Sequence, residues 1–480
     1  MTSFSLRTQP YPHQLPAIDK LRRPRVGGLF MDMGTGKTYC SIDLAQRRQN
    51  RTSNIFWFTP VSLKETARQE ILKHTDCRPS DIYTFDDSTS IRRAPKSATW
   101  YIVGIESMSS SDRQVLTANH LVNKNSFVIV DESSYIKGHR SRRTERITHL
   151  AERARYRLIL TGTPISQGVV DLYAQMRFLS PKILGYNSFY SFAANHLEYS
   201  DKYPGLIVRA HNTGYLAAKI APYVYQITKE DAGLNLPPKL FDTWYYSMSY
   251  AQMAAYWQAK EEILLSRPDD EIDSIVIFEL FTALQQIVCG FWNRRCPVTG
   301  RTERLEFPNG RLSILQNILL QLPENEKIII WCKYRFSIRR IVEALTTEYG
   351  PDSAAQFHGG LSESKRNQSL AHFRREARFF VATAAAGGHG LNLTESAYTI
   401  FYEDEFKYAN RLQAEDRNHR IGQERRPTYI SVVCSGTIDE RIQKSHAKKG
   451  DAVEDFRRRV DGVKGHTARG KALREMVKDL

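Results

Sequence analysis

Short apolar runs alternate with amphipathic stretches along the first half of the chain, and each run ends at a polar segment. Apolar runs of this length, separated by segments with a helical repeat, predict parallel strands covered by helices on both faces of a sheet. Because ligands of open α/β sheets bind at the carboxyl edge of the strands, the polar segments that follow the runs form the candidate site. Strands are predicted at 26–30, 54–60, 100–103, 127–130 and 157–160.

The second half of the chain repeats this pattern, with helical stretches such as 337–345 between apolar runs. Two similar α/β lobes are therefore expected, although no close sequence repeat relates them. Strands are predicted at 327–331, 379–382, 398–402 and 429–433.

The boundary between the lobes is predicted near Pro237 and Pro238, because proline breaks any helix there and the composition shifts. Two intervals, 181–225 and 249–310, fit neither lobe and are predicted to be small helical protrusions. A basic tail with a run of three arginines is expected to form a charged helix with a solvated face. The predicted domains are an N-terminal lobe at 1–235, a C-terminal lobe at 236–445 and the tail at 446–480.

The composition is that of a globular protein too long for a single core, with 480 residues of which 41% are hydrophobic and 25% are charged. Lys and Arg total 68 against 52 Asp and Glu, and the net charge of +16 favours polyanionic partners such as phosphate backbones. No apolar run is long enough to span a membrane and the first residues lack the apolar core of a signal peptide, so a cytoplasmic location without a membrane partner is expected. The six cysteines form no Cys-x-x-Cys pair, and reduced thiols are expected.

A glycine-rich segment follows the first predicted strand. A loop of this kind before a helix wraps main-chain N–H groups around the β- and γ-phosphates of a nucleotide. Lys37 is expected to place its charge on those phosphates, and the hydroxyl of Thr38 suits Mg²⁺. Met31 stands where the usual eight-residue pattern begins with glycine. The residues expected to bind ATP in this loop are Met33, Gly34, Thr35, Gly36, Lys37 and Thr38.

Three further residues of the first lobe complete the expected nucleotide site. Asp131 and Glu132 follow the apolar run 127–130, which carries both carboxylates to the edge of the sheet. Asp131 is expected to hold Mg²⁺ through water, and Glu132 to polarise the attacking water as general base. Gln14 lies about twenty residues before the loop and is expected to read the edge of adenine, although a plain loop residue explains it almost as well.

Two arginines far along the chain, Arg417 and Arg420, are expected to share one face of a helix with Gln413. An arginine that reaches across a cleft stabilises charge on the transferring γ-phosphate. Arginine pairs on helices are usually solvated, but Asp416 and Gly422-Gln423 stand in fixed register with this pair. We therefore predict that Gln413, Arg417 and Arg420 are catalytic residues.

The ordered set of motifs resembles the Swi/Snf family of DNA-translocating ATPases, within the superfamily-two helicases, over about residues 11–445. Segment 160–165 looks like the third motif of that family, 386–393 like its fifth and 413–423 like its sixth. The resemblance implies two tandem RecA-like lobes with ATP and Mg²⁺ in a cleft between them and duplex DNA across their top. It also implies that Gly390 of the fifth motif contacts ATP. Non-sequence-specific contacts to DNA phosphates are expected from loops at Thr59, Pro60, Thr161 and Thr383.

The chain departs from the family pattern beside the acidic pair. The family's Asp-Glu-Ala-His reads Asp131-Glu132-Ser133-Ser134 here, so the histidine that couples hydrolysis to the third motif is absent. The hydroxyl of Ser134 is the candidate substitute. His389 replaces an apolar residue in the fifth motif. Chromatin-reader extensions are missing, which is typical of minimal bacterial and viral members of the family.

The leading hypothesis is a DNA-dependent ATPase that translocates on duplex DNA and remodels DNA or protein–DNA complexes. A strand-separating helicase on single-stranded DNA or RNA uses the same ATP site, and Thr161-Gly162-Thr163-Pro164 favours translocation over it. A DNA-binding module with a decayed nucleotide site is the other alternative, but every residue expected to touch phosphate or Mg²⁺ is intact. Duplex DNA is the expected partner, single-stranded or branched DNA is an alternative, and protein partners are left open.

Overall fold

The computed structural model describes residues 3–162, 164, 168–199, 207–265, 274–296, 299–387, 391–450 and 452. Its contacts divide the chain into two units, Met1–Asn235 and Leu236–Leu480. Each unit has its own parallel sheet and its own hydrophobic core. Most of the predicted tail, 446–480, lies outside the described residues, so its helical character stays a prediction.

A parallel sheet lies at the centre of the first unit. The strands of this unit are β1 (Val26–Met31), β2 (Asn54–Thr59), β3 (Ile82–Thr84), β4 (Trp100–Gly104), β5 (Ser126–Asp131), β6 (Tyr156–Thr161), β7 (Leu197–Tyr199), β8 (Ile207–Ala210) and β9 (Val224–Ile227). Seven of them pair in parallel in the order β3-β4-β2-β5-β6-β1-β9. Strands β7 and β8 form a separate antiparallel ribbon.

The helices of the first unit cover both faces of this sheet, as the alternation of side chains along β5 shows. Val128 and Val130 pack into one apolar cluster, whereas Phe127 and Ile129 pack into another. The helices are α1 (Leu15–Leu21), α2 (Lys37–Arg48), α3 (Lys64–His74), α4 (Ser107–Ser110), α5 (Asp112–Leu121), α6 (Arg142–Glu152), α7 (Val170–Leu179), α8 (Pro181–Leu184), α9 (Phe189–His196) and α10 (Thr213–Ile220).

The register of the first sheet brings the ends of three strands together. Phe30 near the end of β1 pairs with Thr161 at the end of β6, and Asp131 at the end of β5 pairs with Leu160 of β6. The segments that follow β1, β5 and β6 therefore leave from the same edge of the sheet.

The second unit repeats the architecture with six parallel strands. Its strands are β10 (Leu240–Tyr246), β11 (Phe291–Arg295), β12 (Thr302–Glu306), β13 (Ile328–Cys332), β14 (Ala354–Phe357), β15 (Phe379–Thr383), β16 (Tyr398–Phe401) and β17 (Thr428–Cys434). The sheet order is β10-β17-β16-β13-β15-β14, with every pairing parallel. Strands β11 and β12 form an antiparallel hairpin of their own.

Helices again cover both faces of the second sheet. Ile328 and Ile330 of β13 pack into one cluster, and Ile329 and Trp331 pack into the other. The helices are α11 (Tyr250–Lys260), α12 (Ser274–Val288), α13 (Arg311–Gln321), α14 (Arg335–Tyr349), α15 (Glu363–Arg375), α16 (Ala384–Gly387), α17 (Tyr408–Glu415) and α18 (Ile438–Ala447). No helix in the described part of the chain is long and apolar enough to cross a membrane.

The predicted fold class, α/β with two tandem parallel-sheet lobes, is confirmed. Two details of the prediction were wrong. The interval 181–225 ends in β9, which pairs with β1 in the main sheet. The interval 249–310 is largely core, because α11 and α12 supply buried residues such as Tyr256 and Leu284 to the main cluster of the second unit. In the described part of this interval, the β11–β12 hairpin forms a sheet of its own beside the main sheet.

Candidate functional site

The loop between β1 and α2 is shaped by two glycines. Gly34 and Gly36 have φ angles of 84° and 91°, a left-handed conformation that glycine adopts without steric cost. A β-carbon on Gly36 would lie 1.9 Å from Nε2 of Gln14. The loop therefore requires glycine at this position for both its backbone angle and its close approach to Gln14.

The side chain of Gln14 holds this loop in place through a hydrogen bond. Its side chain is buried, donates from Nε2 to the carbonyl of Thr35 at 3.2 Å and accepts from the N–H of Tyr11 at 2.9 Å. His13 Nε2 lies 2.8 Å from the same carbonyl of Thr35. The structure thus gives Gln14 a role in holding the loop, and its predicted contact with adenine stays a prediction.

The amino end of α2 is arranged to receive an anion. Gly36 caps the helix without a side-chain hydrogen bond, and the first turn contains no acidic residue. Such a helix end carries partial positive charge and exposes main-chain N–H donors. Lys37 Nζ donates to the carbonyls of Met31 and Asp32 at 2.6 and 3.1 Å. Thr38 lies half-buried in the same turn.

The acidic pair lies at the end of β5. Desolvation of the Asp131 carboxyl and the adjacent charge of Glu132 raise the pKa of Asp131 to about 6, although Lys37 acts in the opposite direction. Glu132 is buried and has a left-handed backbone, with φ 55° and ψ 61°. Left-handed backbone at a residue other than glycine is costly and is concentrated at functional sites. The sheet has therefore brought Lys37, Asp131 and Glu132 to one corner.

Mg²⁺ fits the residues at this corner. Hydroxyl and carboxylate oxygens, which Thr38 and Asp131 provide, are the ligands that this cation prefers. Burial and the neighbouring Glu132 raise the pKa of Asp131, and a divalent cation beside this carboxyl would favour its charged form.

Ser134, the candidate substitute for the missing histidine, makes its described hydrogen bond within the acidic segment. Its hydroxyl donates to Oε1 of Glu132 at 3.2 Å, two residues before it. The neighbouring Ser133 makes the longer connection instead, through Gln175 of α7. The sequence analysis missed both of these residues, although a glutamine within the apolar run of α7 was a visible signal.

The arginine pair of the second unit follows a helix rather than lying on it, so the prediction of a shared helix face was wrong. Helix α17 ends at Glu415, and the next residues form turns in which the N–H of Arg417 donates to the carbonyl of Ala414. The side chain of Asn418, which is fully buried, donates to the carbonyl of Ser396 and so holds the segment next to the start of β16. The side-chain amide of Asn418 is satisfied there rather than by a continued helix.

Both arginines are held by main-chain oxygens. Arg417 is buried and donates from Nε to the carbonyl of Gln413 at 3.0 Å. Arg420 is half-buried and donates from Nη1 to the carbonyl of Leu391 at 3.2 Å. The structure therefore brings Gln413, Arg417 and Arg420 together at the end of α17. Gly390 and His389 of the fifth motif lie outside the described residues.

A network of ion pairs that the sequence analysis missed fixes α17. Arg411 donates to Asp404 at 2.7 Å and to Glu415 at 2.9 Å, and its guanidinium lies 3.4 Å from the ring centre of Phe401. Lys239 pairs with Glu415 at 2.8 Å. All of these groups are mostly buried, so they orient the segment that carries the arginines.

The four residues expected to contact DNA are buried at the ends of their strands. Thr59 and Thr161 have no exposed surface, Thr383 has 8% and Pro60 is also buried. Thr59 and Thr161 end β2 and β6 of the first unit, and Thr383 ends β15 of the second. Their contacts with DNA stay a prediction.

Two domain profiles match most of the chain. The SNF2-related domain matches residues 18–290, and the helicase conserved C-terminal domain matches residues 310–422. The fold is similar to the helicase domain of Pyrococcus furiosus Hef, with a TM-score of 0.54 at 15% identity, over 91% of this chain and 98% of that chain. At this identity the likeness bears on the fold alone.

Curated relatives share about a quarter of their aligned residues with the chain. Human TATA-binding protein-associated factor 172 is 25% identical over 372 residues, which cover 66% of this chain and 20% of that protein. An uncharacterized ATP-dependent helicase of Mycoplasma genitalium is 26% identical over 341 residues, which cover 68% of this chain and 31% of that protein. Chromodomain-helicase-DNA-binding protein 1-like of Danio rerio is 24% identical over 496 residues, which cover 97% of this chain and 46% of that protein.

The chain thus spans less than half of the length of each of these three relatives. The SNF2-related match alone nevertheless covers more than half of the chain, from residue 18 to residue 290 of 480. The protein therefore belongs to the SNF2-related family, and its second half matches the helicase conserved C-terminal domain.

Proposed function

We propose that the chain is a DNA-dependent ATPase that translocates on duplex DNA and thereby remodels DNA or protein–DNA complexes. The observation that carries this proposal is the convergence of Lys37, Asp131 and Glu132 at the ends of β1 and β5. A phosphate-binding loop beside a desolvated acidic pair is the arrangement that nucleotide hydrolysis requires.

In this proposal the first unit binds and cleaves ATP. The N–H groups at the start of α2 and the ammonium of Lys37 bind the β- and γ-phosphates, which displaces Lys37 from the carbonyls of Met31 and Asp32. Glu132 accepts a proton from the attacking water, and the Ser134 hydroxyl orients the Glu132 carboxylate. Bound Mg²⁺ would neutralise phosphate charge, held by Thr38 and by Asp131 through water.

The arginines of the second unit are proposed to act on the same nucleotide. Arg420 is the better candidate for contact with the γ-phosphate, because it is half-buried whereas Arg417 is buried against the carbonyl of Gln413. Guanidinium groups stabilise the charge that develops on a transferring phosphoryl group. Arg417 is proposed to order the turn that presents Arg420.

Duplex DNA is proposed as the partner that stimulates hydrolysis. The net charge of +16 supports attraction to a phosphate backbone, and contacts to phosphates alone carry no sequence preference. Binding should therefore weaken steeply with salt. A cytoplasmic location in a bacterial or virus-infected cell is proposed from the sequence alone.

The test is the rate of ATP hydrolysis with no nucleic acid, single-stranded DNA, duplex DNA and RNA at one salt concentration. Several-fold stimulation by duplex DNA above single strands and RNA is expected. Triplex displacement without duplex unwinding should accompany it. Stimulation by single strands together with duplex unwinding would instead identify a strand-separating helicase, and no stimulation by any nucleic acid would contradict the proposal.

A further inference from the structure

A buried hydrogen-bond chain joins the segment after Glu132 to the third motif, within the first unit. Ser133 donates its hydroxyl to Oε1 of Gln175 at 2.6 Å. Nε2 of Gln175 donates to the carbonyl of Pro164 at 2.9 Å and to that of Asp171 at 2.8 Å. Ser133 and Gln175 have no exposed surface, so water does not compete for the bonds from Ser133 to Gln175 and from Gln175 to Asp171, whereas the bond to Pro164 is partly buried.

Packing alone does not explain a glutamine at position 175, because burying its amide costs free energy that an apolar side chain would not cost. Its neighbours on α7 include the buried apolar residues Leu172, Met176 and Leu179. Burying an amide in such surroundings costs free energy unless each polar atom is paired. A leucine would fill this position without polar atoms to satisfy. The amide therefore contributes a defined geometry rather than core stability.

The far end of the chain of bonds lies beside the phosphate loop. Pro164 follows the end of β6, and a β-carbon on Gly162 would lie 3.5 Å from Cγ of Met33 and 3.6 Å from the carbonyl oxygen of Met31. Gly162 of the third motif therefore lies against the loop that is proposed to bind phosphates. Through Pro164 and Gln175, the same motif is connected to Ser133.

A second link runs parallel to the first. Lys137, in the segment that follows the acidic pair, pairs with the buried Asp171 of α7 at 3.5 Å. The carbonyl of Asp171 also accepts from Gln175. One turn of α7 thus contacts the segment after Glu132 at two places, which makes a rigid connection between that segment and α7.

We infer that Ser133 and Gln175 are positioning residues that couple the acidic pair to the third motif in place of the absent histidine. This inference rests on the proposed function, because coupling is observed only when DNA changes the rate of hydrolysis. Ser134 does not fill this role, since its hydroxyl donates to Glu132.

The test uses Ser133→Ala, Gln175→Leu and the double variant of the full chain. Ser126→Ala is the matched control, because Ser126 begins β5, is also fully buried and donates its hydroxyl to Oδ1 of Asn54 at 2.5 Å. The kcat for ATP and the KM are measured with and without a blunt DNA duplex of mixed sequence, and thermal unfolding confirms that each variant is folded.

Ser133→Ala should reduce the ratio of DNA-stimulated to DNA-free kcat about three- to tenfold, with KM changed less than about twofold, as expected for loss of one buried hydrogen bond. Ser126→Ala should keep the wild-type ratio. The double variant should lose no more than the more affected single variant, because both changes break one chain of bonds.

An unchanged ratio in Ser133→Ala, an equal loss in Ser126→Ala or additive losses in the double variant would each overturn the inference while leaving the proposed function intact. A wild-type enzyme that duplex DNA does not stimulate would contradict the proposed function itself, and the inference would fall with it.

Discussion

Charged groups at the carboxyl edge of the first sheet and charged groups of the second unit are compensated in different ways. In the first unit, Lys37 donates to two main-chain carbonyls, and desolvation raises the pKa of Asp131 to about 6. In the second unit, Arg411 pairs with both Asp404 and Glu415 at less than 3 Å. Burial thus dominates the electrostatics of Asp131, whereas two close carboxylates compensate the charge of Arg411.

This difference indicates which unit carries the chemistry. A buried charge is costly unless an opposite charge compensates it. ATP with Mg²⁺ would bring further phosphate oxygens to Lys37 and a divalent cation to Asp131. The paired charges of the second unit instead fix the turn that bears Arg417 and Arg420. Changes in the first unit should therefore reduce activity more than stability, and changes in the paired network should do the reverse.

Lys37→Ala should give the largest loss of activity. Hydrolysis should be abolished, because the phosphate loop loses its positive side chain, whereas the midpoint of thermal unfolding should change little. DNA binding without nucleotide should survive. Turnover and DNA affinity are measured for Lys37→Ala and for the control Lys20→Ala, which removes an exposed lysine of α1. Substantial turnover in Lys37→Ala would show that the phosphate site has been misassigned.

Arg420→Ala should reduce DNA-stimulated kcat by roughly 10³ with little change in the KM for ATP, because its charge acts mainly in the transition state. Arg420→Lys should rescue poorly, since an ammonium does not reproduce the planar guanidinium. Arg417→Ala should have a milder effect. A raised KM with unchanged kcat in Arg420→Ala would place this residue outside the catalytic site.

Asp439→Asn should affect stability first. Asp439 pairs with Arg311, and both side chains are buried in the second unit. Removing one partner of a buried pair costs about 3 to 5 kcal/mol of unfolding free energy. Denaturant unfolding measures the free energy of unfolding of this variant and of the control Asp19→Asn. The control breaks an exposed pair with Arg22 and should cost less than about 1 kcal/mol. Equal effects of the two changes would contradict the structural role of this buried ion pair.

Gly36→Ala should weaken ATP binding by a smaller amount than Lys37→Ala. The left-handed backbone costs about 1 to 2 kcal/mol for any residue with a β-carbon, and that carbon would meet the amide of Gln14. Gly214→Ala is the control, because a β-carbon there would meet nothing within 4 Å, and it should keep the wild-type affinity. Unchanged affinity in Gly36→Ala, or an equal loss in Gly214→Ala, would contradict the role given to the backbone of Gly36.

The sequence predicted the parts of the fold that depend on local pattern. Central strands such as β5 contain an unbroken apolar run, here 127–130, so the position of the strand and the acidic pair at its carboxyl end followed directly. Edge strand β9 was missed because it has only four residues and buries only the first and the last of them. The end of α17 was missed because Asn418 bonds to a distant strand. The link between Ser133 and Gln175 spans 42 residues, and pairing at that separation leaves no periodic signal in one sequence.

The most direct test of the account is Glu132→Gln, measured for ATP binding and for single-turnover hydrolysis with duplex DNA. The carboxamide keeps the shape of the side chain but does not accept the proton of water, so hydrolysis should fall by about 10² or more while ATP still binds. Glu152→Gln, at an exposed position of α6, should behave as the wild type. Hydrolysis near the wild-type rate, or loss of ATP binding in Glu132→Gln, would contradict the claim that the first unit carries the chemistry.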